Sequence, residues 1–157
     1  MGKPIKISVI IPCYNEEGNI MPMYERLKST LGAITDDYEL IYINNGSYDR
    51  SENIFKELAG RDKKVVVISL SRNFGSQNAY TAGMDYATGD CAVCIDGDIQ
   101  DPTELIAEMV KKGQEGYEIV YGIRKKRKGS IARRICYKLF YRIFKRLAYI
   151  NIPVDAG

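Results

Sequence analysis

Four carboxylates fall between Asp96 and Glu104, in the run Ile95-Asp96-Gly97-Asp98-Ile99-Gln100-Asp101-Pro102-Thr103-Glu104. Asp96 and Asp98 stand two residues apart, so in extended backbone both point the same way. Two close carboxylates repel unless a cation lies between them or one takes up a proton. Mg2+ or Mn2+ suits such hard oxygen donors and is often shared with the phosphates of a substrate. Gly97 lets the backbone bend and a ligand come close. The other reading of Asp96 and Asp98 is a loop of solvated acids. Asp101-Pro102-Thr103-Glu104 reads mainly as a helix start, with a cap, a proline at the first helical position and a glutamate closing a capping box.

The chain of 157 residues contains no histidine. That removes the commonest general base, Ser-His-Asp and Cys-His catalysis, and His-containing zinc sites. Cys91 and Cys94 form a CxxC within the apolar run CAVCI, and no second CxxC completes a zinc site. They are expected to be buried free thiols in a reducing compartment. A net charge of +3 is too small to argue for nucleic acid. The basic charge is local: Arg124 to Arg146 holds eleven Lys or Arg and no acid. No apolar run is long enough to span a bilayer, and the N-terminal run is too short for a secretory signal.

The elements that must position these residues alternate. Ile5–Ile11, Tyr38–Ile43, Val65–Leu70, Cys91–Ile95 and Tyr117–Tyr121 read as strands. Asn15–Leu31, a segment capped by Ser47 or Asp49 and running to about Ala59, Gly75–Ala87, Pro102–Lys112 and Ser130–Ala148 read as helices. This pattern predicts βαβ units, a mostly parallel sheet and helices on both faces. In such sheets ligands bind beyond the carboxyl ends of the strands, where the strand order reverses.

The segments after the strands are accordingly the places to look. In PCYNE, Tyr14 can stack on a flat base or simply pack. In NNGSYD, Asn45 can pair with a base edge or form a turn. In SRNFG, Arg72 suits a phosphate or a surface ion pair. In the last helix Ile131, Ile135, Leu139, Ile143 and Leu147 form an apolar stripe flanked by Arg134, Lys138, Arg142, Lys145 and Arg146. That pattern fits a membrane interface, or a core-facing helix with a solvated basic side.

Taken in order, VIIPCYNEEGNI, INNGSYDRS, SRNFGSQNAYTAGMDYATGD, IDGDIQDPTE and YGIRKKRKGSIARR resemble the family 2 glycosyltransferases. The likeness is to the branch that transfers sugars to polyprenyl phosphate, the dolichol-phosphate mannose synthases and bactoprenol glucosyltransferases, and it covers nearly the whole chain. It implies a GT-A fold, a three-layer α/β/α arrangement with a mostly parallel sheet. Residues 1–129 would bind the nucleotide sugar, and 130–157 would form a basic amphipathic helix and the start of an acceptor-side region.

The resemblance also implies roles. Pro12, Tyr14 and Glu16 would line base and ribose, with Asn45 at the base and Arg72 beside the pocket. Asp96 and Asp98 match the DxD motif that holds Mg2+ or Mn2+ against the diphosphate, with Gln100 as a further metal contact. Arg124 and Arg127 would lie near phosphates. Asp155 matches an aspartate near the reaction centre and joins Asp98 as a catalytic candidate. The expected partners are a UDP- or GDP-linked sugar and a lipid phosphate, at the cytoplasmic face of a membrane engaged through residues 130–149, with no nucleic acid. Two departures stand out: Asn44-Asn45 replaces the family's paired aspartates, and Ser76-Gln77 follows SRNFG where relatives often have Lys-Glu. The family continues beyond the closing VDAG. The alternatives are transfer to a glycan hydroxyl and a nucleotide-binding module without turnover.

Overall fold

The structure, a computed structural model, describes residues 5–123. A first compact unit ends at Gly116 and a second begins at Tyr117. The first is built in the order β1 (Ile7–Cys13), α1 (Ile20–Gly32), β2 (Tyr38–Asn44), α2 (Ser51–Arg61), β3 (Val65–Ser69), α3 (Ser76–Tyr86), β4 (Cys91–Cys94), a 3-10 turn (Thr103–Leu105) and α4 (Ile106–Gln114). The four strands are all parallel and lie in the order β3-β2-β1-β4. The chain thus builds outward from β1 in one direction and then reverses, placing β4 on the other side of β1. The crevice beyond the ends of β1 and β4 is the point where ligands bind in such sheets.

Alternation along the strands sorts side chains to two faces. Ile7, Val9, Ile11 and Cys13 of β1 join Leu40 and Tyr42 of β2 in one core, covered by Ile20, Met23 and Leu27 of α1, Phe55 of α2 and Ile106 of α4. The opposite parity, Ile10, Ile41 and Ile43, meets Ala79 of α3. Gly83 of α3 lies against Ile10 and Ile43, where a Cβ would overlap both side chains. The small residues of α3 therefore allow a close helix–sheet approach. The layers are α1, α2 and α4, the sheet, then α3, as the three-layer expectation requires.

A polar network fixes β4 at the other end of the sheet. Glu39 accepts hydrogen bonds from Ser8 Oγ at 2.6 Å, Thr88 N–H at 2.8 Å and Thr88 Oγ1 at 2.9 Å. Burial alone would raise the Glu39 pKa, but the bonds from Ser8 and Thr88 outweigh it and hold the carboxyl below its ordinary value. Gly89 N–H donates to Ser8 Oγ and Lys6 N–H to Asp90, so the turn into β4 is tied to β1.

Several expectations change. The segment Tyr117–Tyr121 is not a strand: Glu118 lies in a bend, the other four residues carry no regular element, and a single bridge residue occurs at Ile123. Helix α1 begins at Ile20 rather than Asn15, because Asn15 takes a left-handed φ of 56° that a helix cannot use. The helix start expected at Asp101-Pro102-Thr103-Glu104 opens as a 3-10 turn, with Pro102 at its N-cap. Both Glu104 oxygens lie 3.2 Å from Arg26 Nη2 of α1, and a 3-10 turn without a side-chain cap precedes α4. Cys91 is half-buried and Cys94 exposed, against the expectation of burial; both are free, as is the buried Cys13. The cause is position, since among the described strands β4 has β1 as its partner and ends its row. No helix among the described residues is long and apolar enough to cross a membrane. Arg124, Arg127, Asp155 and the predicted helix Ser130–Ala148 lie outside the described residues.

Candidate active site

A cleft of about 330 Å3 opens at the carboxyl ends of β1 and β4, lined by Pro12, Cys13, Tyr14, Glu16, Asn45, Ser76, Asp96, Gly97 and Asp98. Its floor is backbone brought close. Gly97 lies under the end of β1, and a Cβ there would stand 2.6 Å from Cys13 Sγ and 2.9 Å from the Pro12 carbonyl oxygen. Glycine is thus required at this position by space, and it fixes where Asp96 and Asp98 emerge. Cys13 is sealed behind it, and burial, with Glu16, Asp49 and Asp96 nearby, pushes its thiol up to about 12.

Each acid of the pair has one oxygen held from inside the protein. Asp96 Oδ1 accepts the Tyr80 hydroxyl of α3 at 2.8 Å, and Asp98 Oδ1 accepts the Gln100 N–H at 3.1 Å. Between them and Gln100 sits Ile99 with φ of 62°, a β-branched residue in the left-handed region. That conformation costs on the order of 1–3 kcal/mol and is a common mark of functional loops.

The rim is cross-tied. Asn15 N–H donates to Ser47 Oγ at 3.0 Å while Asn15 Oδ1 accepts the Tyr48 N–H at 3.0 Å. Glu16 N–H donates to Ser51 Oγ and Glu17 N–H to Asp49 Oδ2. The loop after β1 therefore rests on the loop after β2. Tyr14 and Tyr48 meet edge to face at 6.0 Å between ring centres, with Tyr14 partly exposed in the cleft. Asn45 is buried, and its amide is engaged: Oδ1 accepts the Phe74 N–H at 3.0 Å, and Nδ2 donates to Asn73 Oδ1 at 3.2 Å.

Six of the residues singled out from sequence, Pro12, Tyr14, Glu16, Asn45, Asp96 and Asp98, thus share one cleft. Arg72 does not join its lining. Its guanidinium stacks 4.2 Å from the Phe74 ring centre instead. Gln100 is exposed and outside the lining, and its backbone serves Asp98. Sequence reading missed Ser76, Tyr80 and the sealing role of Cys13. Ser76 was detectable as the first helical residue after Gly75, whose φ of 85° breaks the chain direction. Nothing in the sequence pointed Tyr80 at Asp96.

The donor set fits a hard divalent cation. Among the described residues no group of three or more His, Cys, Asp or Glu side chains could hold a metal alone. Two carboxylates with anchored oxygens at an open cleft suit Mg2+ or Mn2+, which take one or two carboxylates and complete their shell with water and substrate phosphates.

An all-parallel α/β/α sheet with acids and an aromatic gathered at its switch point places the chain among the doubly wound α/β folds, which bind ligands at that crevice. Within that class the chain belongs to glycosyl transferase family 2, whose family model matches residues 8–157. It is 47% identical over 158 residues to the uncharacterized glycosyltransferase YkcC of Bacillus subtilis (strain 168), covering 100% of this chain and 49% of that protein. It is 38% identical over 141 residues to the undecaprenyl-phosphate 4-deoxy-4-formamido-L-arabinose transferase of Shewanella sediminis (strain HAW-EB3), covering 89% of this chain and 43% of that one. The chain thus spans about half the length of these relatives. Its fold resembles the mannosyltransferase PcManGT of Pyrobaculum calidifontis, solved with GDP-Man and Mn2+, at a TM-score of 0.61 and 20% identity over 69% of this chain and 32% of that one. The GT-A fold expected from the motifs is the fold observed.

Proposed function

We propose that this chain is the nucleotide-sugar-binding part of an enzyme that moves a sugar, with inversion, from a UDP- or GDP-linked donor to a polyprenyl phosphate. The observation that carries the reading is the pair Asp96 and Asp98, gathered with Tyr14 and Glu16 in one cleft at the β1/β4 switch point. Tyr14 offers a ring for the base, and Pro12 and Glu16 line the ribose side. Asp96 and Asp98 hold Mg2+ or Mn2+, with Gln100 beside them. The ion, when bound, supplies positive charge against the leaving diphosphate. Asn45 reaches the base region with an amide already committed to the next loop, so it shapes the pocket more than it offers a free base edge.

The acceptor class is supported by the relative named for undecaprenyl phosphate, and the donor and metal by the neighbour solved with GDP-Man and Mn2+. A phosphate acceptor is already anionic, so the step needs no strong general base and a chain without histidine can perform it. Asp155 is the candidate at the reaction centre, and Arg124 and Arg127 are candidates for phosphate contact. The division at 129/130 and a basic amphipathic 130–149 at the cytoplasmic face of an anionic membrane belong to the same proposal.

The test is calorimetric titration of UDP and GDP into the chain with Mn2+ and with EDTA. At least one nucleotide should bind in a metal-dependent way, and Asp98→Ala should abolish that dependence. Equal binding by both proteins under both conditions would remove the assignment of Asp96 and Asp98 to the metal.

A further inference from the structure

The geometry points to Tyr80 as a positioning residue that holds Asp96 in the rotamer from which it ligates the cation, and so sets the cation's affinity. This rests on the proposed metal role of Asp96 and deepens it. Tyr80 comes from α3, sixteen residues before Asp96, and its hydroxyl donates to Asp96 Oδ1 at 2.8 Å, an ordinary length for a strong O–H···O bond. The helix that carries it is seated firmly: Ala79 is fully buried against Ile10, Ile41 and Ile43, and Gly83 sits on the sheet itself. Asp96 is exposed, so without a donor its side chain would be free to turn among rotamers. Asp98 has a local anchor in the Gln100 N–H, whereas Asp96 depends on one from a different element.

The arrangement has a chemical consequence. With Oδ1 of each acid held by an internal donor, each carboxylate is fixed in one orientation while its other oxygen, and a remaining lone pair on Oδ1, face an ion that also needs water and phosphate oxygens. Outer-shell donors of this kind orient ligating carboxylates, and their loss commonly weakens metal binding by about 10- to 100-fold. Tyr80→Phe removes the donor and keeps the ring that packs beside Ala79.

The experiment titrates Mn2+ into the full chain, with saturating UDP or GDP, and reads free Mn2+ from its electron paramagnetic resonance signal. Tyr80→Phe should weaken Mn2+ about tenfold, while its metal-free nucleotide affinity in EDTA and its thermal midpoint stay within error of the parent. Asp96→Asn should abolish the Mn2+ site. Unchanged or tighter Mn2+ binding in Tyr80→Phe, with binding lost in Asp96→Asn, overturns the role of Tyr80 alone. Parental Mn2+ binding in Asp96→Asn overturns the metal reading of the cleft and this inference with it. A loss of metal-free nucleotide affinity in Tyr80→Phe equal to the loss of Mn2+ affinity would make Tyr80 a general support of the cleft and also refute the inference.

Discussion

Asn45→Asp is an isosteric change at the position where the family pattern has aspartate, and the structure predicts that it destabilises this chain. Asn45 is buried, with 4% of its surface exposed, and both ends of its amide are used. Oδ1 takes the Phe74 N–H, and a carboxylate can take it too, more strongly. Nδ2 donates to Asn73 Oδ1, and a carboxylate has no proton for that bond. Asn73 could rotate its amide to donate instead. Its Oδ1 would then abandon the Gly75 N–H, which it accepts at 2.8 Å. Either way one loop hydrogen bond is lost and a desolvated acid gained, partly offset at Phe74, a net loss of about 1–2 kcal/mol. Urea unfolding at pH 7.5 should show it as a midpoint lower by roughly 0.5–1 M at ordinary slopes. A cycle with Asn73→Ala should reveal coupling on the order of 1 kcal/mol, since the two amides share one network. An unchanged or higher midpoint, or strict additivity with Asn73→Ala, would refute the idea that Asn45 braces the loop before α3.

Two further predictions concern the core. Tyr42 is fully buried against Phe55, and its hydroxyl has no hydrogen-bond partner among the described residues. Tyr42→Phe should therefore raise stability by about 1 kcal/mol, read as a midpoint increase of roughly 2–4 °C in calorimetry; a lower midpoint would contradict the orphaned hydroxyl. Cys13, raised from 9.0 to about 12, stays protonated in the folded state while the unfolded chain ionises. Its contribution is whole below pH 9 and is lost as pH rises from 9 to 12, at up to about 1.4 kcal/mol per pH unit. Urea midpoints from pH 8 to 10 should fall less steeply for Cys13→Ala than for the parent, and parallel curves would exclude Cys13 as the source.

What the sequence made legible follows from how local each signal is. Strands β1 to β4 and their helices were readable because a period of two, then of three to four, is written into neighbouring residues. The cleft was readable for a related reason: a parallel sheet brings the ends of its strands together, so each motif placed after a strand arrives at one edge. Glu104 stands in the first turn of the element its motif marked, and its bond to Arg26, 78 residues away in α1, is the part the local motif could not show. Arg72 lies over the ring of Phe74, two residues on, a contact between near neighbours that the motif SRNFG itself brings together. Cys94 was judged buried from its apolar neighbours, and sequence alone could not say that β4 would end the described row of strands.

The hydrogen bonds that make the cleft into a site connect elements rather than neighbours, and they explain its local strain. Among the described residues the two non-glycine residues with positive φ are Asn15 and Ile99, one in the loop after β1 and one in the loop after β4. Each is compensated by bonds that its conformation permits. Asn15 turns its amide oxygen to the Tyr48 N–H and its own N–H to Ser47, and the turn at Ile99 accompanies the Gln100 N–H bond to Asp98. Asn45 then ties the loop after β2 to the loop before α3, and Tyr80 ties α3 to Asp96. The four segments around the cleft are thereby linked in series, so moving one strains the bonds to the next. A site held in this way would meet the proposed ligand with the acids and the Tyr14 ring already placed, so binding would not have to supply the free energy to order them. A left-handed non-glycine residue costs on the order of 1–3 kcal/mol, and the bonds to Ser47 and Tyr48 at Asn15, and the Gln100 N–H bond to Asp98 beside Ile99, offset that cost where the chemistry would lie.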